Sequence, residues 1–125
     1  MDTAVIFHTQ SFLVLALLYY GISQRRNRDK HVKIMSSAIA WDLILILQIE
    51  LNRGAIAKAS QMDTNPFILN FHVLIAVSTV ILYFINIYLG RKILQGDNSK
   101  RKLHKLCAIM TMTFRTSTFI TSYLV

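Results

Sequence analysis

Residues 66–90 read PFILNFHVLIAVSTVILYFINIYLG and contain no Asp, Glu, Lys or Arg. About 20 apolar residues are enough for an α-helix to cross the hydrocarbon core of a membrane. Asn65 is placed as N-cap, Pro66 at the first helical position and Gly90 at the end, which is the punctuation of a helix. Three further stretches cover about residues 4–23, 32–52 and 103–125. The sequence predicts an all-α fold, a single integral membrane domain built as a four-helix up-down bundle.

The composition supports a membrane protein. Hydrophobic residues make up 54% of the 125 residues and charged residues 16%, yet the net charge is +8. Soluble chains average about 45–50% and 25%. Because the positive charge is confined to short runs between apolar stretches, we expect no nucleic-acid partner. The single cysteine excludes an internal disulfide framework and the CxxCH attachment of a c-type haem.

The basic residues predict the orientation. Eleven of the fourteen lie in two loops: Arg25, Arg26, Arg28, Lys30 and Lys33 in the first, and Arg91, Lys92, Lys100, Arg101, Lys102 and Lys105 in the second. By the positive-inside rule both loops face the cytoplasm, so that both termini face outward (N-out/C-out). The partner expected for the two basic loops is the lipid bilayer, through its anionic headgroups.

A weak internal repeat relates the two halves of the chain. A shift of 64 residues places Phe7-His8 on Phe71-His72, and Leu18-Tyr19-Tyr20 on Leu82-Tyr83-Phe84. In the other two helices a His is followed after eleven residues by a charged residue, as His31 by Asp42 and His104 by Arg115. Eleven residues bring a helix back to nearly the same face, about 16 Å further along. Each helix therefore carries a His near one end and a polar partner near mid-membrane, in two hairpins.

The four histidines sort into two levels. His8 and His72 lie near the predicted outer ends of their helices, whereas His31 and His104 lie at the predicted inner starts of theirs. Each pair comes from helices that run parallel, and such helices are diagonal in an up-down bundle. Two facing imidazoles are what bis-His ligation of haem iron requires, which favours two b-type haems.

Other cofactors stay open. Glu50 can complete the outer level for Fe or Zn, and Cys107 and Met35 offer softer ligands, suited to Cu, at the inner level. Asp42 and Arg115 fall at one depth, which favours a buried ion pair. Alternatively Asp42 relays protons, or Arg115 meets a haem propionate or a quinone oxygen. Tyr19 and Tyr83 are candidates to stack on or hydrogen-bond to a bound ring.

Several strings together resemble a known family. They are FHxxxFLVxALLYY (7–20), DKHVKIM (29–35), NFHVLIA (70–76), KLHKLCAIMT (102–111) and TFITSYLV (118–125). This pattern is similar to the small four-helix bacterial membrane family catalogued as domain of unknown function 420, whose CtaM-like members serve the maturation of terminal oxidases. The resemblance implies one His at the start of each helix, here His8, His31, His72 and His104, and a multi-pass protein of the bacterial cytoplasmic (inner) membrane. The architecture also looks like the haem-binding core of the cytochrome b561 family.

Three functions are carried forward. The first is a haem-binding membrane protein that transfers electrons as a small respiratory-chain subunit. The second is an assembly factor that handles haem or copper for a haem-copper oxidase. The third is a structural accessory subunit without a cofactor. The first two imply other membrane subunits of a respiratory or oxidase complex as partners, and none of the three requires a self-contained enzyme.

Overall fold

The computed structural model describes residues 3–53 and 66–123, and these form four α-helices. They are α1 (Thr3–Ser23), α2 (Arg28–Arg53), α3 (Pro66–Leu94) and α4 (Arg101–Thr121), with a short 3-10 helix over Asn98–Lys100 before α4. The described residues contain no strand. The all-α prediction is confirmed.

The helices extend further into polar sequence than the apolar stretches indicate. α2 begins at Arg28, four residues before the predicted start, and α3 continues past Gly90 to Leu94. Apolar runs locate the part of a helix that can cross a membrane, whereas charged residues such as Lys and Arg are good helix formers that prolong it. α3 does begin at Pro66. Asn65, predicted as its N-cap, lies outside the described residues.

The chain divides into two compact units, residues 1–64 and 65–125. Each unit is one helical hairpin, with α1 against α2 in the first and α3 against α4 in the second. We call them hairpin 1 and hairpin 2. The two predicted hairpins are therefore present, and their assembly into one bundle stays a prediction.

Hairpin 1 has a buried stripe on each helix at the spacing of interlocking helices. In α1 the stripe contains Val14, Leu18 and Gly21, and in α2 it contains Ala38, Asp42 and Leu45. Both sets step by four and then three residues, which keeps one face of a helix against a neighbour. A carboxylate thus occupies a position where an aliphatic residue is usual.

Hairpin 2 shows the same spacing over a longer stretch. The buried stripe of α3 consists of Ile75, Thr79, Leu82, Asn86 and Leu89. The buried residues of α4 are Thr111, Met112 and Arg115. Thr79, Asn86, Thr111 and Arg115 are polar, so the interior of hairpin 2 is unusually rich in hydrogen-bonding groups.

The connection between α3 and α4 is a tight turn. Gly96 has a φ of 100°, which favours glycine, and the Asp97 carboxylate accepts hydrogen bonds from the backbone amide and the hydroxyl of Ser99. These hydrogen bonds, with the positive charges of Lys100 and Lys92, hold the pKa of Asp97 below its usual range. Asp97 is the only acid in the basic segment 91–105. It is therefore ionised at neutral pH and neutralises part of the positive charge of that segment.

Three helices are long and apolar enough to cross a membrane, over Val5–Ser23, Arg28–Leu51 and Phe67–Leu94. α4 is not one of them, because Arg115, the basic residues of its first turns and many Ser and Thr interrupt its apolar sequence. It nevertheless runs beside α3, since Asn86 of α3 is hydrogen-bonded to Thr111 and His72 to Thr121. α4 therefore accompanies α3 over most of the length of that apolar helix.

Gly21 lies where hairpin 1 is tightest. A Cβ at this position would lie 3.0 Å from Cγ2 of Ile34 and 3.1 Å from Cγ of Met35, and closer still to Sδ of Met35. At Gly90 of hairpin 2 a Cβ would lie 3.7 Å from Cε1 of His104, an ordinary contact. Close approach of two helices thus depends on glycine only in hairpin 1.

We expect Gly21→Val to lower the free energy of unfolding by about 1–3 kcal/mol, because the added methyl groups must displace Ile34 and Met35. Gly90→Ala is the matched control, expected to be neutral or stabilising by up to about 1 kcal/mol, since alanine favours helix. Denaturant titration in detergent measures both variants. An equal loss of stability at the two positions would contradict this account.

Candidate functional site

His31 of α2 is held by the end of α1. Its Nδ1 lies 2.7 Å from the backbone carbonyl oxygen of Gly21. A carbonyl oxygen can only accept, so Nδ1 carries the proton and donates it. In the neutral ring, Nε2 then keeps its lone pair. This is the tautomer in which an imidazole presents Nε2 as a ligand while a backbone carbonyl orients it.

His72 of α3 has an equivalent partner on α4. Its Nδ1 lies 2.6 Å from Oγ1 of Thr121. The hydroxyl of Thr121 donates to the carbonyl oxygen of Ser117 at 2.9 Å or to that of Thr118 at 3.1 Å. We infer that the one hydroxyl proton is used there, because this arrangement gives the carbonyl, the hydroxyl and the imidazole a partner each. Oγ1 then accepts from His72, whose proton lies on Nδ1. Two of the four histidines therefore present Nε2.

The other two histidines occupy comparable places. His104, in the first turn of α4, is half-buried, and its Cε1 faces the backbone of α3 at Gly90. His31 likewise meets a glycine, Gly21, near the end of the preceding helix. His8 is half-buried on α1, five residues after the start of that helix. All four lie on helices, as the sequence predicts.

The predicted repeat reappears as a repeat of burial. The residues 7, 8 and 11 positions after the His are buried in both even helices: Ala38, Ile39 and Asp42 in α2, and Thr111, Met112 and Arg115 in α4. The residues 7 and 10 positions after the His are buried in both odd helices: Leu15 and Leu18 in α1, and Thr79 and Leu82 in α3. The two hairpins thus place their histidines alike relative to their interiors.

The repeat breaks at the tyrosines. Tyr83 is buried, with 1% of its surface exposed, whereas Tyr19 is 49% exposed. Tyr83 is thus part of the interior, while the ring of Tyr19 faces outward at the equivalent position. Their predicted contact with a bound ring stays a prediction.

Asp42 and Arg115 are both almost fully buried, with 1% and 3% of their surfaces exposed. Burying an ionisable side chain is costly unless it has a partner, and both side chains do interact with other groups. The two residues occupy equivalent positions of the two even helices. Their pairing with each other stays a prediction.

The alternative metal ligands are spread along the helices. Glu50 lies half-buried near the end of α2, and Cys107 is half-buried one turn after His104. Met35 lies against Gly21. Among the residues that the structure describes, no cluster of three or more His, Cys, Asp or Glu is placed to hold a metal ion. Bis-His ligation of haem iron needs only two histidines.

Sequence reasoning missed one polar contact between α3 and α4. Nδ2 of Asn86 donates to Oγ1 of Thr111 at 2.6 Å and to the carbonyl oxygen of Leu82 at 2.8 Å. The hydroxyl of Thr111 donates in turn to the carbonyl oxygen of Cys107 at 2.6 Å. An Asn in an otherwise apolar stretch, on the same helical face as Thr79 and Leu82, was the available signal.

No protein-family model, curated protein or solved structure matches this chain. The resemblance to the small four-helix bacterial family therefore stays an expectation.

The acceptor role of Thr121 is testable. We expect Thr121→Val to remove the hydrogen bond that selects the Nδ1-protonated tautomer of His72, at a cost of about 0.5–1.5 kcal/mol, whereas Thr121→Ser retains it. Imidazole nitrogen NMR of the histidine-labelled protein reports the tautomer. Thr113→Val is the control, because Thr113 is exposed and donates only to the carbonyl oxygen of Ile109 on its own helix. Unchanged His72 signals in Thr121→Val would disprove the assignment.

Proposed function

We propose that this chain is an integral membrane protein that binds two b-type haems through its four histidines and transfers electrons across the bacterial inner membrane. The observation that carries the proposal is the hydrogen bonding of His31 and His72, in which Nδ1 donates and Nε2 is left as the ligand atom.

The distribution of polar groups supports insertion. Large apolar side chains are exposed on every helix, and on α4 they include Leu103, Leu106, Ile109, Met110 and Ile120. Polar groups are buried instead, among them Arg115 and Thr111 of the same helix. A water-soluble protein has the opposite arrangement, because burying apolar surface is what stabilises it. This distribution is typical of a protein surrounded by lipid, where polar side chains face the interior.

The donor set fits haem iron. Neutral imidazole is a common axial ligand of haem, and an acceptor on the other ring nitrogen fixes the ring and raises the basicity of the ligand atom. His31 has such an acceptor in a backbone carbonyl, and His72 has one in a hydroxyl. The pairing of His8 with His72 and of His31 with His104 follows from their predicted membrane depth. A bound haem supplies a reversible one-electron couple, while the chain supplies orientation and electrostatics.

Two buried ionisable residues can influence a redox centre. Arg115 and Asp42 are buried ionisable side chains at equivalent positions of α4 and α2. Near a redox centre, a fixed cation favours the form that carries more negative charge. The expected partners of such a carrier are the lipid bilayer and other membrane subunits of a respiratory or oxidase complex.

The orientation is tested by labelling in cells. In a Cys107→Ser background, we expect a thiol introduced by Gln95→Cys to react with an impermeant reagent only from the cytoplasmic side. One introduced by Tyr123→Cys should react only from the outer side, because α4 is proposed to cross the membrane beside α3. Reaction of the Tyr123→Cys variant from the cytoplasmic side would show that α4 does not cross.

Haem binding is tested by spectroscopy of the purified protein. We expect about two b haems per chain from the pyridine haemochrome assay and a redox-sensitive α band. His72→Gln should remove only the outer haem and leave the haem of His31 and His104 spectrally intact. Asn70→Gln is the control, because Asn70 is an exposed amide two residues away on the same helix.

Each alternative outcome has a defined meaning. A colourless protein would end the haem proposal and make metal analysis the next step. Haem at well below one per chain would favour an oxidase-maturation factor that holds its cofactor transiently. Loss of both haems, or of neither, in His72→Gln would contradict the two-site arrangement.

A further inference from the structure

Asn86 presents a buried acceptor atom inside hairpin 2. The residue has 8% of its surface exposed, and its Oδ1 accepts no hydrogen bond from the described residues. The amide cannot be turned round, because Nδ2 donates to the carbonyl oxygen of Leu82, where Oδ1 would meet another acceptor. Thr111 supplies no proton either, since its hydroxyl donates to the carbonyl oxygen of Cys107. Oδ1 therefore points to a donor that must come from elsewhere in the interior.

His104 is the side chain placed to supply that donor. Gly90 lies four residues after Asn86, on the same face of α3 and about 6 Å further along the helix. The imidazole of His104 reaches α3 at that point, because a Cβ on Gly90 would lie 3.7 Å from its Cε1. Nδ1 is bonded to Cε1 and is itself buried. One water molecule with two ordinary hydrogen bonds spans about 5–6 Å, comparable with the rise of about 6 Å along α3 from Asn86 to Gly90.

We infer that Asn86 is a positioning residue for His104: one buried water molecule accepts a hydrogen bond from Nδ1 of His104 and donates one to Oδ1 of Asn86. This arrangement places the proton of His104 on Nδ1, as in His31 and His72. The inference rests on the proposed function for its purpose, because orienting a ligand imidazole is what such a contact does. The hydrogen bond itself exists whether or not haem is bound.

The experiment uses the full chain, labelled with ¹⁵N at histidine, and is first done without haem at a pH where the imidazoles are neutral. We expect His104 to be protonated on Nδ1, with a proton cross-peak to a bound water. Asn86→Leu removes the acceptor and should give a mixture of tautomers at His104. Thr111→Val is the matched control, because it removes the partner of Nδ2 and leaves Oδ1 in place.

The wild-type measurement decides the inference even if Asn86→Leu fails to fold. A His104 protonated on Nε2, or a His104 spectrum unchanged by Asn86→Leu, would overturn it. His72, hydrogen-bonded to Thr121 in the same hairpin, reports whether each variant is folded.

A second readout links the contact to the cofactor. With haem present, Asn86→Leu should weaken binding at the inner site by about 10–100-fold, as loss of an outer partner does at metal sites, and Thr111→Val should not. A chain that shows the expected tautomer but binds no haem would disprove the proposed function and leave the Asn86 contact standing. A chain that binds two haems, but whose His104 is protonated on Nε2 in the haem-free state, would disprove the Asn86 contact and leave the proposed function standing.

Discussion

Buried polar groups impose the constraint on which the rest of this structure depends. Helices rich in Leu, Ile and Val bury Asp42, Thr79, Asn86, Thr111 and Arg115 on the stripes that face the protein interior. A hydrogen-bonding group removed from water is costly unless it finds a partner, and a charged group costs more. The helices must therefore pack so that polar atoms meet. The antiparallel register of hairpin 2 follows this rule, because the contacts of His72 with Thr121 and of Asn86 with Thr111 both require it.

Backbone and hydroxyl oxygens decide how the histidines are held. A free imidazole exchanges between two tautomers, and either ring nitrogen can then act as a ligand. In this chain the carbonyl oxygen of Gly21 and the hydroxyl oxygen of Thr121 each accept from Nδ1. The protein thereby selects one ligand atom, Nε2, before any cofactor arrives. Preorganisation of this kind lowers the cost of binding, since no proton or ring has to be rearranged.

The repeat gains physical meaning from the pattern of burial. Short sequence matches, such as Phe-His at two places, are weak evidence taken alone. Burial at the same distances from His31 and from His104 is stronger, because it shows that each even helix turns the same face inward. Tyr19 and Tyr83 depart from the repeat, since one is exposed and the other buried at the equivalent position.

The sequence alone determined the helices, their grouping in hairpins and the start of α3 at Pro66, because apolar length, proline and basic loops are local signals. It also placed the four histidines on helices and identified Asp42 and Arg115 as interior residues by their eleven-residue spacing. The tertiary structure decided which atoms meet. That Gly21 accepts from His31, that Thr121 accepts from His72 and that Asn86 reaches Thr111 depend on the register and separation of two helices. Those quantities result from side-chain packing summed over a whole interface, and no local pattern encodes them.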